Sequence, residues 1–452
     1  MKKAKAEIMN WEGSVASHPR IVVSPKNVKE LIDIVSNAKN YPSPVRAVGS
    51  NYSTTRCAVA DRGTMVDMRQ MNSILEIGRE TVKVQAGALY IDVAERLKEH
   101  GLQFYVNVEL GNLTIGSAAC GGTKDSSVAG EFGQLSSYVC GMKLVTPTGK
   151  EMVVTEKQKD LLRVMRSSYG LLGIIYEVTL KVRPLHPVTV DRTSFTLAEF
   201  TESLPLLTQR DEAMKLYLYP FADKVTVEFR KICEDGKVGR LPARLRNWAY
   251  KTATPTFGRL VTKLVPMRGA RYYLIDLFSS ALQRTTDRLV AGRKLLPSDQ
   301  IKRFAAKSGF SKYTYSTWAF PVDKFPTVLN SYFEFCRKYY QDNGYRCNLF
   351  NVAHRIHQDR NAQLSYSFDG PVLTLDPVST GDEGWEDFLV DYNEFCSGHG
   401  GVPLFNQTRA ITRDQARNAF GHRLKSFTGL REKVDPNNRF CNQYFMQLLG
   451  TS

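Results

Sequence analysis

The chain has 452 residues, 42% hydrophobic and 23% charged: enough for two or three domains with proper cores, and too apolar for a disordered chain. No run approaches the ~18–20 apolar residues of a membrane-spanning helix, and no apolar stretch follows the basic start (Lys2, Lys3, Lys5), so neither a membrane span nor a secretory signal is expected and the expected compartment is cytoplasmic. Of the net charge of +16, +11 falls between Lys237 and Lys294, where thirteen Lys and Arg face only Asp276 and Asp287.

Residues 20–23 read as a strand, 24–27 as a turn and 28–37 as a helix, because Val28, Leu31, Ile32 and Val35 recur at helical spacing. Residues 45–49 and 64–68 are further strands. A second unit opens with an alternating strand, 81–87, and a helix, 90–100, stopped by Gly101. A Gly/Ser/Thr-rich stretch, 111–133, separates it from strands at 142–146, 151–155 and 174–180. Pro184 and Pro187 mark a domain boundary. Beyond it, strands (213–219, 224–231, 312–317) alternate with helices (321–340, 385–398) to about residue 425. The eight cysteines form no C-x-x-C pair, so they read as free, mostly buried thiols and no metal site is expected.

Two segments carry chemistry. Where the strand 45–49 ends in glycine and small polar residues follow, Val48, Gly49, Ser50, Asn51, Tyr52 and Ser53 offer successive backbone N–H groups, which suits a pyrophosphate. Residues 110–123 hold Gly111, Thr114, Ile115, Gly116, Ser117, Cys120, Gly121 and Gly122, small enough for backbone to approach a flat ligand. Each alone also fits an ordinary tight turn. No G-x-G-x-x-G stands in a βαβ setting, which excludes a Rossmann NAD site.

Taken in order, these segments resemble the vanillyl-alcohol-oxidase superfamily of FAD enzymes. The family's G-x-G-H-S loop corresponds to Gly49–Ser53, its L-T-V/I-G-G to Leu113-Thr114-Ile115-Gly116-Ser117, and its G-I-I-x-x-V-T-L to residues 173–180. The C-terminal Asp435-Pro436 with Phe440, Asn442 and Tyr444 resembles the D-P-x-x-x-F-x-N-x-Y of the sugar-lactone oxidase branch. Tyr52, Lys124 and the stretch 400–409 are similar to the decaprenylphosphoryl-ribose oxidase branch. The resemblance implies an α+β fold. A PCMH-type FAD-binding domain (1–185, subdomains 18–75 and 76–185) carries an α+β substrate domain with an antiparallel sheet (186–425), and residues 426–452 return to the first domain. It also implies an FAD-dependent oxidoreductase that oxidises a CH–OH carbon of a small-molecule or lipid-linked sugar. Val48, the loop Gly49–Ser53, the 111–122 residues named above, Ile174, Ile175 and Asn442 would hold the cofactor.

This chain departs from the pattern where it matters for chemistry. Tyr52 stands where many relatives carry the His that bonds covalently to flavin, so unlinked FAD is expected. Asn406 replaces a catalytic lysine, and Ala353 replaces the Glu of a Glu-x-Arg whose Arg is Arg355. The catalytic candidates are therefore Arg355, Asn406, Lys124, Tyr315 and a general base at His354 or His357, since imidazole titrates near neutrality. For each histidine taken singly a surface or structural role outweighs catalysis, and Tyr313 and Tyr315 suit core packing as well as a pocket wall. Strand alternation puts His354 and Ile356 on one face, Arg355 and His357 on the other.

The basic stretch 237–294 reads as a membrane-surface element, an anionic-substrate element or a solvated insertion, with 268–293 an amphipathic helix presenting Leu274, Leu277, Phe278 and Leu282 on one side. Nucleic acid is not expected, because no reader motif is present. A flavin-dependent C=C reductase and a non-catalytic membrane- or polyanion-binding protein stay open beside the oxidase.

Overall fold

The computed structural model describes residues 7–128, 130–233, 240–290, 292–305 and 309–451; Lys237 and the basic start up to residue 6 lie outside them. Strand β1 (Ile21–Val23) leads to Asn27, whose side chain accepts the Glu30 amide and so starts helix α1 (Val28–Ser36). The helical repeat buries Leu31, Ile34 and Val35 with Val45 and Val66 from strands β2 (Val45–Val48) and β3 (Thr64–Asp67). All three strands are parallel, in the order β1-β3-β2. Parallel strands end together on one edge, and the loop leaving β2 begins there.

The second lobe is antiparallel. Strands β4 (Ile74–Ile77), β5 (Thr81–Gln85), β6 (Leu102–Phe104), β7 (Val139–Val145), β8 (Glu151–Thr155) and β9 (Ile174–Pro184) run in the order β8-β7-β9-β5-β4, with β6 on the far end of β9. Helix α2 (Tyr90–Glu99) turns Tyr90, Val93 and Leu97 inward. The short helix α3 (Ile115–Cys120) is built of small residues, and Gly116 packs so closely on Ala86 that a Cβ there would lie 2.8 Å from the Ala86 Cβ.

The second half of the chain, the expected substrate domain, carries an eight-stranded antiparallel sheet. Its strands are β10 (Val188–Thr196), β11 (Ala213–Tyr219), β12 (Lys224–Ile232), β13 (Lys294–Leu295), β14 (Trp318–Pro321), β15 (Asn351–Ile356), β16 (Val372–Leu375) and β17 (Val402–Pro403). They lie in the order β13-β10-β12-β11-β15-β16-β14-β17. Between β12 and β13 come three helices, α4 (Arg240–Trp248), α5 (Thr254–Leu264) and α6 (Arg268–Val290). Helix α6 forms as expected but buries Tyr272, Ile275, Gln283 and Thr286, while Leu274 and Leu277 face outward. The expected apolar face is thus split, since Phe278, stacked on Phe257 at 4.0 Å, and Leu282 are half-buried. The predicted strand 312–317 shrinks to Thr314–Tyr315, paired with Val378–Ser379, because the chain on either side leaves the ladder.

Strand alternation gives the large sheet two different faces. Met214, Leu216, Leu218, Ala353 and Leu373 pack in one apolar cluster with helices α7 (Phe325–Asn343) and α8 (Trp385–Gly398). Lys215, Tyr217, Val352 and His354 point the other way, toward the first domain, with Lys215 directly opposite His354.

That facing surface is ionic. Glu109, from the first domain, is surrounded by Lys215 (2.9 Å), Arg230 (3.0 Å), Arg246 (3.5 Å) and Lys302. Asp125 pairs with Arg230 at 3.2 Å, and Glu228, wholly buried, takes Arg192, Arg230 and Arg246. Asn442 ties the C-terminal segment back to the first lobe: its Nδ2 donates to the carbonyls of Arg56, Cys57 and Val59, while its Oδ1 caps helix α9 (Gln443–Leu449). Among the described residues no helix is long and apolar enough to cross a membrane.

Candidate active site

The loop after β2 owes its shape to two residues. At Gly49 any Cβ would sit 2.1 Å from the Thr114 Oγ1, so only glycine lets the loop close on the 113–117 turn. Asn51 takes a left-handed φ of 55°, a conformation asparagine tolerates better than most residues. Among the described residues, none of the five amides from Gly49 to Ser53 donates to a protein acceptor. A run of free amides is an anion cradle.

The cradle opens into a cavity of about 360 Å³, within the range of small-ligand sites. Val48, Gly49, Ser50, Asn51, Tyr52, Ser53, Thr114, Gly116, Ser117, Cys120, Gly121, Ile174 and Ile175 line it, as do Lys124, Tyr315, His354 and Asn406. The structure therefore gathers seventeen of the sequence-derived candidates around one space. The others lie behind its walls. Gly111 donates its amide to the Lys302 carbonyl, Ile115 is core, Gly122 packs on Leu404, and Asn442 holds the 56–59 turn. Arg355 and His357 lie outside the cavity: Arg355 points away from it, donating to the Arg210 carbonyl and toward the His357 Nε2 at 3.1 Å.

The cavity fits FAD. Five unpartnered amides meet the charge of a pyrophosphate, and two buried polar atoms, the Tyr52 hydroxyl and the Asn406 Oδ1, have no partner in the protein. The Tyr52 ring stacks on Trp11 at 4.9 Å, and burial raises its hydroxyl pKa, as it does for Tyr315. Cys120 gives its thiol to the Gly116 carbonyl, and burial pushes its pKa up to about 11, so it is no thiolate near neutrality.

On the substrate-domain side the polar groups are organised around Asp376, which the sequence did not single out. Lys124 Nζ lies 2.8 Å from its Oδ2, the Thr374 hydroxyl donates at 3.2 Å, and His354 Nδ1 stands 3.3 Å away. Burial would raise the Asp376 pKa, but Lys124 and His354 outweigh it and hold the carboxyl below its usual range. Burial, together with Lys124 and Lys215, lowers the His354 pKa against the pull of Asp376, so the imidazole is neutral at pH 7. Its Nε2 lies 3.9 Å from Asp125. Lys215, Glu109 and Lys302 line the same cavity; burial and the nearby cations bring Lys302 down to about 8. These residues were legible only in part. The 213–219 alternation places Lys215 and Tyr217 on one face, but not which neighbours that face meets.

Comparison with known proteins agrees with this geometry. A family model described as FAD binding domain matches residues 19–155, and one described as D-arabinono-1,4-lactone oxidase matches residues 178–448. The L-gulono-1,4-lactone dehydrogenase of Mycobacterium tuberculosis is 22% identical, over 98% of each chain. The L-gulonolactone oxidase of Bos taurus is 23% identical, over 97% of each. Among solved structures, cholesterol oxidase from B. sterolicum superposes with a TM-score of 0.75 at 15% identity, over 98% of this chain and 96% of that one, a likeness of fold. The chain belongs to the D-arabinono-1,4-lactone oxidase family and is an FAD-dependent oxidoreductase built on the PCMH-type fold.

Proposed function

We propose that the protein oxidises a CH–OH carbon of a sugar lactone, with His354 as the base that takes the hydroxyl proton. The observation that carries the second part is a neutral, buried imidazole on the cavity face, 3.3 Å from an aspartate that Lys124 holds ionised. Bound FAD supplies the two-electron acceptor for the hydride that leaves the same carbon. His354 Nδ1 makes no hydrogen bond in the protein but lies 3.3 Å from the Asp376 carboxylate, so a proton taken up by the ring meets a negative charge already in place. Asp376 then stabilises the imidazolium. Asn406 offers an unpartnered amide oxygen for a substrate hydroxyl, a role that needs no charge. Tyr315 stays protonated near neutrality and can only donate a hydrogen bond. We read the flavin as unlinked, since neither Tyr52 nor Cys120 is a nucleophile near neutral pH.

The test is anaerobic mixing of the purified holoenzyme with L-gulono-1,4-, L-galactono-1,4- and D-arabinono-1,4-lactone. Saturable bleaching of the flavin by one of them is expected. Bleaching by NAD(P)H and by no lactone would replace this reading with a C=C reductase. Acid precipitation should release all of the flavin into the supernatant; colour kept in the pellet would mean a covalent link.

A further inference from the structure

Of the sixteen large apolar side chains exposed among the described residues, nine lie between Leu241 and Leu277, on helices α4 to α6 and the link before α6. They are arranged, not scattered. On α4, Leu241, Leu245 and Trp248 follow the i, i+4, i+7 spacing of one helical face, and 68% of Leu241 and 58% of Trp248 is exposed. The opposite face of α4 is the packed one, with Ala243 and Arg246 buried. Helix α5 exposes Leu260 and Leu264, and α6 exposes Tyr273 and Leu277, each pair again at i, i+4. Three helices that already bury one side against the protein thus each carry a second apolar stripe into solvent. An ordinary solvated insertion would carry charge there.

The charge beside the stripes is mostly positive. Arg244, Lys263, Arg268, Arg284, Arg288 and Arg293 are exposed, and Asp276 is the one exposed carboxylate among the described residues of this segment. Among those residues, Arg244, Lys263, Arg284 and Arg288 form no ion pair. Apolar side chains, with a Trp and a Tyr among them, flanked by unpaired Arg and Lys, match the two terms of interfacial binding: burial in the acyl boundary and attraction to anionic headgroups.

We propose that the outer face of α4–α6 docks the enzyme on an anionic lipid surface. The same segment supplies Tyr250, Lys251, Thr254 and Pro255 to the cavity wall, so docking brings that wall to the bilayer. The inference stands apart from the identity of the substrate and from the role of His354.

The test is co-sedimentation of the holoenzyme with vesicles of phosphatidylcholine alone and of phosphatidylcholine with phosphatidylserine. Sedimentation with the anionic vesicles only is expected. It should fade as salt rises from about 0.1 M to about 1 M, where the Debye length shrinks from ~10 Å to ~3 Å. The triple variant Leu241→Ser, Leu245→Ser, Trp248→Ser should lose binding by roughly tenfold or more while keeping its flavin and its rate of flavin reduction. Absence of vesicle binding in the parent protein, or equal binding by the triple variant, overturns the proposal. A parent that ignores vesicles but is a dimer in solution, with the triple variant monomeric, assigns the face to a second copy of the chain instead.

Discussion

An imidazole accepts a proton only while it is neutral, and burial together with Lys124 and Lys215 keeps His354 so. Its facing groups are Asp376, Asp125, Lys124 and Lys215; Asp376 opposes the shift without reversing it. Flavin reduction by the substrate should therefore be level through neutrality and fall as pH drops below the ordinary histidine value of about 6.5. In His354→Gln that acid limb should vanish, and reduction should slow by about 10²–10⁴-fold with FAD content unchanged. Stopped-flow absorbance across pH measures both, and an intact acid limb in the variant would move the base elsewhere. Arg355→Ala makes a useful contrast: Arg355 lies outside the cavity, so the reduction rate should hold.

At the scale of elements, the cofactor cradle depends on the meeting of the β2 loop with the turn before α3. Gly49→Ala drives a Cβ into a β-branched side chain, Thr114, with contacts of 2.1 and 2.6 Å to its Oγ1 and Cγ2. The loop must move, and the variant should purify without flavin, measured as absorbance per protein after release. The β2 loop and the α3 turn were readable from sequence because strand, glycine and small polar residues lie side by side in the chain. Asp376 was not: it follows the short strand β16, and its importance comes from Lys124, 252 positions away, and from His354 on the next strand. The outward stripes of α4–α6 were half readable. Composition put charge and leucine there, but only packing tells which side of a helix is covered, and Leu274 and Leu277 proved to be on the open side.

For the molecule as a whole, the buried charges set the response to acid. Burial alone would raise the pKa of Glu109 and of Glu228, but Lys215, Lys302 and Arg246 around the first, and Arg246, Arg192 and Arg230 around the second, hold both well below the usual carboxylate range. A carboxylate whose folded pKa is depressed adds stability that is complete above its unfolded value, about 4.3, and is lost as pH falls through the folded value. The urea midpoint should thus fall steeply below about pH 4.5 as these carboxylates are forced to take up protons. A midpoint unchanged down to about pH 3 would show that these pairs add nothing to stability.

The ring of cations around Glu109 also bears on how the two domains can be inherited. Lys215, Arg230, Arg246 and Lys302 sit in the substrate domain, and the carboxylate they share arrives from the other partner of the interface. Grafted onto a different flavin domain, this half would leave Lys215 and Lys302 buried without their counter-ion and Arg230 and Arg246 with Glu228 as their remaining acid, at a cost that cavity shape cannot offset. Recombination between relatives is therefore restricted to donors that carry an acid at the position of Glu109. One side chain thus acts as a compatibility key between the two halves.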